Sequence, residues 1–410
     1  MRDGVVVTGV GCVSSLGLGA ETFVDELLAG STGIRPVAAF STEGCRSHSA
    51  ALIRGFDPAR YLDPMKLRRI DEVGRLALVA CRLAAEGARL PLKTDEVGVV
   101  LGSVTAGLHS TVAHVRGLVT TGPAGVPALG FSNMIGNAAA SLCALEHGWR
   151  GPNLTIAQKQ ASALAAIAFA IDGLEQGRAG AFLCGGVDDI EETFFRVHDR
   201  FRVLSPTDGG PEGSRPFNVA RNGYVLGCGG HVLVLEARSF AEGRGAAPLG
   251  EILGIGAAST GGPPIAWPGE PDGLVRAMRG ALASAGLAPG DVTAVFATAN
   301  STREVDRVEA LALEEVFGPF AVPVVALKGA LGESGAAGAA SLTAALLCLR
   351  RGVLPPTLGC TPVDPACRVD VAASARPVSG RIAIVNAIAD GGAHYSIAVR
   401  AAAPPVERPA

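Results

Sequence analysis

Ten short apolar runs, rich in Val, Ile and Leu, set the strongest limit on how this chain can fold. In the first half they are Val5–Thr8, Val97–Leu101, Leu154–Ala157, Ala181–Cys184 and His231–Leu235. In the second half they are Leu249–Ile255, Val292–Ala297, Val324–Leu327, Ile382–Val385 and Tyr395–Val399. Helical segments separate them. Strands this continuously apolar suit sheets covered on both faces by helices, which makes the expected fold class α/β. Two sets of similar number suggest a duplicated fold with a junction near residue 240. The expected organisation is an N-terminal half over 1–240, a C-terminal half over 241–402 and a disordered tail over 403–410.

Two helices can be placed with a mechanism. Asp272–Leu287 ends against Gly286 and the turn "APGD". Thr302–Phe317 carries Val305, Val308, Leu311, Leu313 and Val316 at roughly helical spacing. A third candidate, Gly335–Leu349, is apolar but Gly- and Ala-rich, and is shorter than a membrane span, so it reads as a core helix.

Composition narrows the function class. At 410 residues with 18% charged side chains and a net charge of −3, the chain offers no global attraction for nucleic acid or an anionic membrane. The nine cysteines contain no CxxC or CxxH pair, so neither a zinc site nor a disulfide framework is indicated. Reduced thiols and a first strand close to the N-terminus, with no signal peptide expected, point to a cytoplasmic protein.

The stretch "VVVTGVGCVSSLG" opens like a dinucleotide fingerprint, with Gly9 and Gly11 after a strand. Ser14 stands where the third glycine belongs, and no acid ends a second strand at the right distance. It reads as a tight strand-to-helix turn, and no cofactor is expected. A more informative corner is "TIAQKQASALAAIAFA", Thr155–Ala170, a short strand running into an Ala-rich helix. Helix N-terminal amides favour negative charge, so such corners often hold nucleophiles. This one holds Gln160, which is not a nucleophile.

The long-range order of motifs resembles the β-ketoacyl synthases of the thiolase-like superfamily over nearly the whole chain. The stretches that carry the resemblance are "VVVTGVGCVSSLG" with "LLAGSTGI", "HGWRGPNLTIA", "SRPFNVARNGYVLGCGG", "ANSTREVDRVEALAL", "LKGALGESGAAGAASL" and "VNAIADGGAHYS". The resemblance implies a layered αβαβα fold of two similar halves. It also locates the departures. Catalytic members carry a Cys where this chain has Gln160, and a His where it has Thr298. They carry a Lys and then a second His where it has Lys328 and Glu333. Cys228 replaces an acid, and the glycine loop near the C-terminus reads Ile388 to Gly392.

Those losses bear on chemistry. Condensation needs a thiolate to carry the acyl chain and imidazole donors for the enolate formed when malonyl loses CO₂. None of the seven His falls at either of the family's His positions. A Gln in the Cys position fits two relatives: a malonyl-acyl-carrier-protein decarboxylase, which still needs both His, and the chain length factor, or ketosynthase β subunit, of type II polyketide synthases. A structural homodimeric pseudoenzyme is a third option, and Gln160 satisfying backbone groups at a helix start is compatible with the chain length factor. The resemblance favours the chain length factor. It implies a heterodimer with a catalytic ketosynthase α subunit, an acyl carrier protein bearing a phosphopantetheine-linked chain, and no catalytic residue of its own. Lys328 would then be a retained fold contact.

Matching by position places tunnel residues at Leu108, Thr111, Val115 and Ser132, against the alternative that Leu108 and Val115 are ordinary helix core. Their small to medium size suggests a long or linear, polyene-like chain. The cluster "MKLRR", Met65–Arg69, is either a carrier-protein contact or a solvated helix face. His109 and His114, five apart, do not share one helix face and form no metal pair.

Overall fold

The computed structural model describes residues 3–126 and 128–403. The first half contributes strands β1 (Val5–Ser14), β2 (Val97–Gly102), β3 (Asn153–Ile156), β4 (Ala181–Asp188) and β5 (Gly229–Ala237). The second contributes β6 (Gly250–Ser259), β7 (Ala294–Ala297), β8 (Pro323–Ala326), β9 (Asp370–Val371), β10 (Ile382–Ala389) and β11 (Ala393–Ala401). They form one sheet path in the order β9-β8-β7-β10-β11-β6-β1-β5-β4-β2-β3, with a short returning strand, Gly17–Leu18, on β1.

The two halves repeat one topology. Reading inward from its own edge, the first runs β3-β2-β4-β5-β1 and the second β8-β7-β10-β11-β6, with β9 added outside. In each, the outer pairs are parallel and the inner pairs antiparallel. The halves meet where Val5 pairs with Ile252 and Val7 with Gly250. This is the expected thiolase-like fold, and the duplication is plain in topology though faint in sequence.

Strand alternation builds the layers. Phe182, Cys184, Leu233 and Phe296 point into a central layer. There helices α4 (Ser162–Glu175) and α8 (Ala337–Arg351) pack between the sheet halves. Leu183, Val232 and Val234 point the other way, onto α1 (Glu72–Ala88) and α3 (Ala138–His147). Val295 and Ile384 do the same in the second half, facing α6 (Asp272–Ala285) and α7 (Arg303–Phe317). Residues Ala337 to Leu349 of α8 are all buried, which is why that segment is apolar on every face.

The helix expectations hold to within a turn. Gly286 ends α6 at φ 65°, and Thr302 caps α7 by accepting a hydrogen bond from the Val305 amide at 3.3 Å. The reading of Gly9 and Gly11 as a turn is corrected. Both lie inside β1, and a Cβ on them would sit 2.3 Å from the Ala84 carbonyl and 2.0 Å from the Ala80 carbonyl. The glycines let α1 lie directly on the strand. Of the expected tail, residues 404–410 fall outside the described residues. Among the described residues no helix is long and apolar enough to cross a membrane.

Candidate functional site

The four positions that depart from or keep the family pattern converge at the carboxyl ends of strands. Gln160 follows β3, Thr298 follows β7, and Lys328 follows β8 with Glu333 one turn later. Residues Thr298, Lys328 and Glu333 are buried. Lys328 Nζ lies 2.8 Å from Glu333 Oε1 and donates to Thr298 Oγ1 at 3.0 Å. Asn300 Nδ2 donates to Glu333 Oε2 at 2.8 Å, and the Ser334 amide to Oε1 at 3.1 Å. Burial pushes the Glu333 carboxyl up, and the Lys328 ammonium opposes that shift.

The turn holding Thr298 is itself fixed. Glu309, on α7, accepts the amides of Thr298 at 3.0 Å and Ala299 at 2.7 Å, and Asn386 Nδ2 at 3.1 Å. Thr298 Oγ1 also accepts the Ile388 amide at 3.4 Å. Lys328 is thus held between Glu333 and Thr298 in the interior of the fold.

Gln160 sits in a 3₁₀ turn, Lys159–Ala161, ahead of α4. Its side chain does not cap the helix. Its Oε1 accepts the Asp390 amide at 3.3 Å, and its Nε2 lies 3.5 Å from Asp390 Oδ2. The expectation that Gln160 satisfies backbone groups is right in kind but wrong in place, because the partner is 230 residues away. Ser162 closes the turn instead, accepting the Gln158 amide at 2.9 Å and donating to the Lys159 carbonyl at 2.6 Å. Lys159 holds φ 49° and forms an ion pair with Asp390. Asp390 lies just past β10, before Gly391 and Gly392 at φ 86° and 92°.

Beside this corner is a cavity of 370 Å³. Its lining includes Gln160, Glu333 and Asp390, together with Phe194 of α5 (Glu192–Arg200), Phe201 and Ile265. Neither cysteine nor the residues Leu108, Thr111, Val115 and Ser132 are among the described residues lining it. Sequence reasoning missed the aromatic wall, the Lys159–Asp390 pair and Asp188. The glycine loop had marked the region of Asp390, but no local signal ties it to Lys159. Burial pushes the Cys228 thiol up, and its Sγ lies 3.5 Å from the Ala51 carbonyl oxygen, so the residue in the acid position is a packed thiol.

Leu108, Thr111 and Val115 lie along one stripe of α2 (Leu108–Thr121), and Ser132 lies in the neighbouring 3₁₀ segment Ala128–Met134. No residue of α2 is buried, and Val115 is 49% exposed, so it is not core of this chain. The same side of the molecule exposes Val119, Phe131, Ile135 and Leu145. It also carries β3, the outermost strand, with a partner on one side only. In "MKLRR", Lys66 is held 2.7 Å from Glu146, so that charge is partnered within the chain. His109 faces Asp189 at 3.5 Å, while His114 packs near Phe131. Among the described residues no cluster fit to hold a metal is present.

The site combines a carboxamide, a hydroxyl, an ammonium and a carboxyl group at strand ends, beside an open cavity. Gln160 cannot carry an acyl chain. The Glu333 carboxyl group accepts hydrogen bonds from Asn300, Lys328 and Ser334. Comparison with known proteins identifies the family. Residues 2–241 match the beta-ketoacyl synthase N-terminal domain and residues 249–361 its C-terminal domain. The chain is 34% identical to the tetracenomycin polyketide synthase ketoacyl synthase beta subunit of Streptomyces glaucescens, over 97% of this chain and 98% of that one. It is 30% identical to 3-oxoacyl-[acyl-carrier-protein] synthase 2 of Coxiella burnetii, over 96% and 97%. Among solved structures, the ishigamide ketosynthase/chain length factor superposes with a TM-score of 0.92 at 28% identity, covering 98% of this chain and all of that one. The chain belongs to the β-ketoacyl synthase family.

Proposed function

We propose that this chain is a non-catalytic chain length factor, which pairs with a catalytic ketosynthase and shapes the tunnel in which a polyketide grows by malonyl-acyl-carrier-protein extension. The observation that carries this reading is the buried contact of Glu333 with Lys328 beside Gln160. The architecture of a condensing site is kept while its nucleophile position and both imidazole positions hold other groups. The likeness to a ketoacyl synthase beta subunit and to a ketosynthase/chain length factor supports the same reading.

A partner surface is consistent with the exposed apolar side chains beside an edge strand. Val119 at 78% and Phe131 at 60% exposure are costly to leave in water, and β3 offers unpaired backbone groups. The ketosynthase supplies the thiolate, and the carrier protein brings the phosphopantetheine-linked chain. Leu108, Thr111, Val115 and Ser132, on that same side, form the tunnel wall and leave room for a long, linear chain. The malonyl decarboxylase reading needs both imidazoles, and Thr298 and Glu333 stand in their places. Co-expression with a catalytic ketosynthase tests the proposal: the two should co-purify as a heterodimer. A chain that elutes as a homodimer and ignores the ketosynthase sinks it.

A further inference from the structure

The helix that carries Leu108, Thr111 and Val115 is tied to the rest of its chain by polar contacts around its first turn. No residue of α2 is buried, and Gly107 at its N-cap makes no side-chain cap. The ties come from two adjacent acids where β4 ends. Asp188 is buried, and its Oδ1 accepts four hydrogen bonds from the segment entering α2. The donors are Ser103 Oγ at 2.9 Å, the Val104 amide at 2.7 Å, and the Thr105 amide and Oγ1 at 3.0 Å each. Asp189 continues the same clasp. Its amide donates to Thr105 Oγ1 at 3.0 Å, and its Oδ2 lies 3.5 Å from His109 Nδ1. One residue on, the Ser110 hydroxyl bonds Asp71, the cap of α1.

The two acids differ in what can disturb them. Asp188 is sealed from solvent, and its bonds hold the entry segment. His109 is 52% exposed, and in the first turn of α2 it is the residue whose charge changes near neutral pH. It faces a cleft of 690 Å³. That cleft is also lined by Asp71, Glu72 and Arg75 of α1, by Glu191 and Glu192 at the start of α5, and by Arg54 and Arg116. Glu72 pairs with Arg75 at 3.0 Å and Glu192 with Arg196 at 2.8 Å. Arg54 and Arg116 are exposed, so solvent screens them. Asp189, then Glu191 and Asp71, are left to favour the imidazolium, and they raise the His109 pKa above its ordinary value against partial burial.

We propose that His109 is a positioning residue for the tunnel wall: as the imidazolium it pins the first turn of α2 to Asp189, and as the neutral imidazole it lets that turn move. Asp188 holds the entry segment in both states, so the motion is confined to the helix. A helix with no buried side chain follows its anchors. Loosening the first turn therefore widens the range of positions open to Leu108 and Thr111, and product length is best defined where His109 is charged. This consequence rests on the chain length factor reading, whereas the tie itself lies within the chain.

Hydrogen exchange of the isolated full chain at pH 6 and pH 8 tests the tie. Corrected for intrinsic exchange rates, the amides of Thr111 to Val115 should be about two- to fivefold better protected at pH 6, the range expected of a partly exposed ion pair. His109→Gln should give the lower protection at both pH values, and His109→Lys, charged throughout, the higher. Wild-type protection that ignores pH overturns the proposal, and so does a glutamine variant that responds as wild type does. The wild-type comparison needs no variant, so a variant that fails to fold leaves the test standing. The same proteins are then assayed with a catalytic ketosynthase. The wild-type product lengths should spread from pH 6 to pH 8, staying broad in His109→Gln and narrow in His109→Lys. A distribution that does not change with pH, or a change shared by both variants, contradicts the positioning role. Failure to pair with the ketosynthase refutes the chain length factor reading and the tunnel with it, but not the tie, which the exchange data decide.

Discussion

Glu333 Oε1 lies 2.8 Å from Lys328 Nζ, and both side chains are almost wholly buried. A carboxyl at this place and an ammonium beside it are mutually dependent. Removing one strands the other in a low-dielectric interior, which typically costs about 3–5 kcal/mol, whereas replacing both with apolar residues is often near neutral. Glu333→Leu alone should therefore destabilise the chain by about 3–5 kcal/mol in urea unfolding. The double variant Lys328→Met with Glu333→Leu should recover most of that loss. Equal loss in single and double variants would show that packing, and not charge, holds the pair in place.

The apolar side of the molecule should behave as an interface. Val119 and Phe131 are exposed in the chain alone, so aspartate at either position adds no buried charge to the monomer. Central apolar anchors of an interface are commonly worth roughly 2 kcal/mol or more each. Val119→Asp combined with Phe131→Asp should leave circular dichroism and melting of the isolated chain unchanged. It should abolish co-purification with the ketosynthase.

Product length should follow the stripe Leu108, Thr111 and Val115. Leu108→Phe or Val115→Phe adds an aromatic ring to a wall that carries none at these positions. The complex should then release products shorter by one or more extension units, read by mass spectrometry. An unchanged length distribution would place the tunnel elsewhere.

The fold was largely legible because its signals are local and repeated. The ten apolar runs located the main strands, and the C-terminal glycine at 286 and the cap at Thr302 located two helix ends. The site was legible only as substitutions at Gln160, Thr298 and Glu333. What those residues touch was not, because the contacts join strand ends far apart in sequence, as Gln160 and Asp390 do. Gly9 and Gly11 misled for a physical reason: glycine permits tight turns and close helix packing alike, and sequence does not say which.

The His109–Asp189 pair gives a pH dependence. Asp189, at 3.5 Å, raises the His109 pKa above its ordinary value, outweighing partial burial, with Glu191 and Asp71 adding to the effect. A pKa raised by folding stabilises the native state fully below the unfolded value of about 6.5. That contribution is lost as pH rises through the folded value. Wild type should thus exceed His109→Gln in urea midpoint at pH 5.5, and the gap should narrow by pH 8. A gap that widens with pH would reverse the assignment. The imidazole is half exposed, so the effect should be small and should shrink further in salt.

The most direct measurement is CO₂ release from malonyl-acyl carrier protein by the purified chain, alone and then mixed with a catalytic ketosynthase. With Gln160, Thr298 and Glu333 in place of a thiol and two imidazoles, the chain alone should release none above the uncatalysed background. The mixture should extend the chain, with every turnover traceable to the ketosynthase thiol. Steady CO₂ release by the chain alone, abolished by substitution of Gln160, would contradict the assignment of this protein as a non-catalytic subunit.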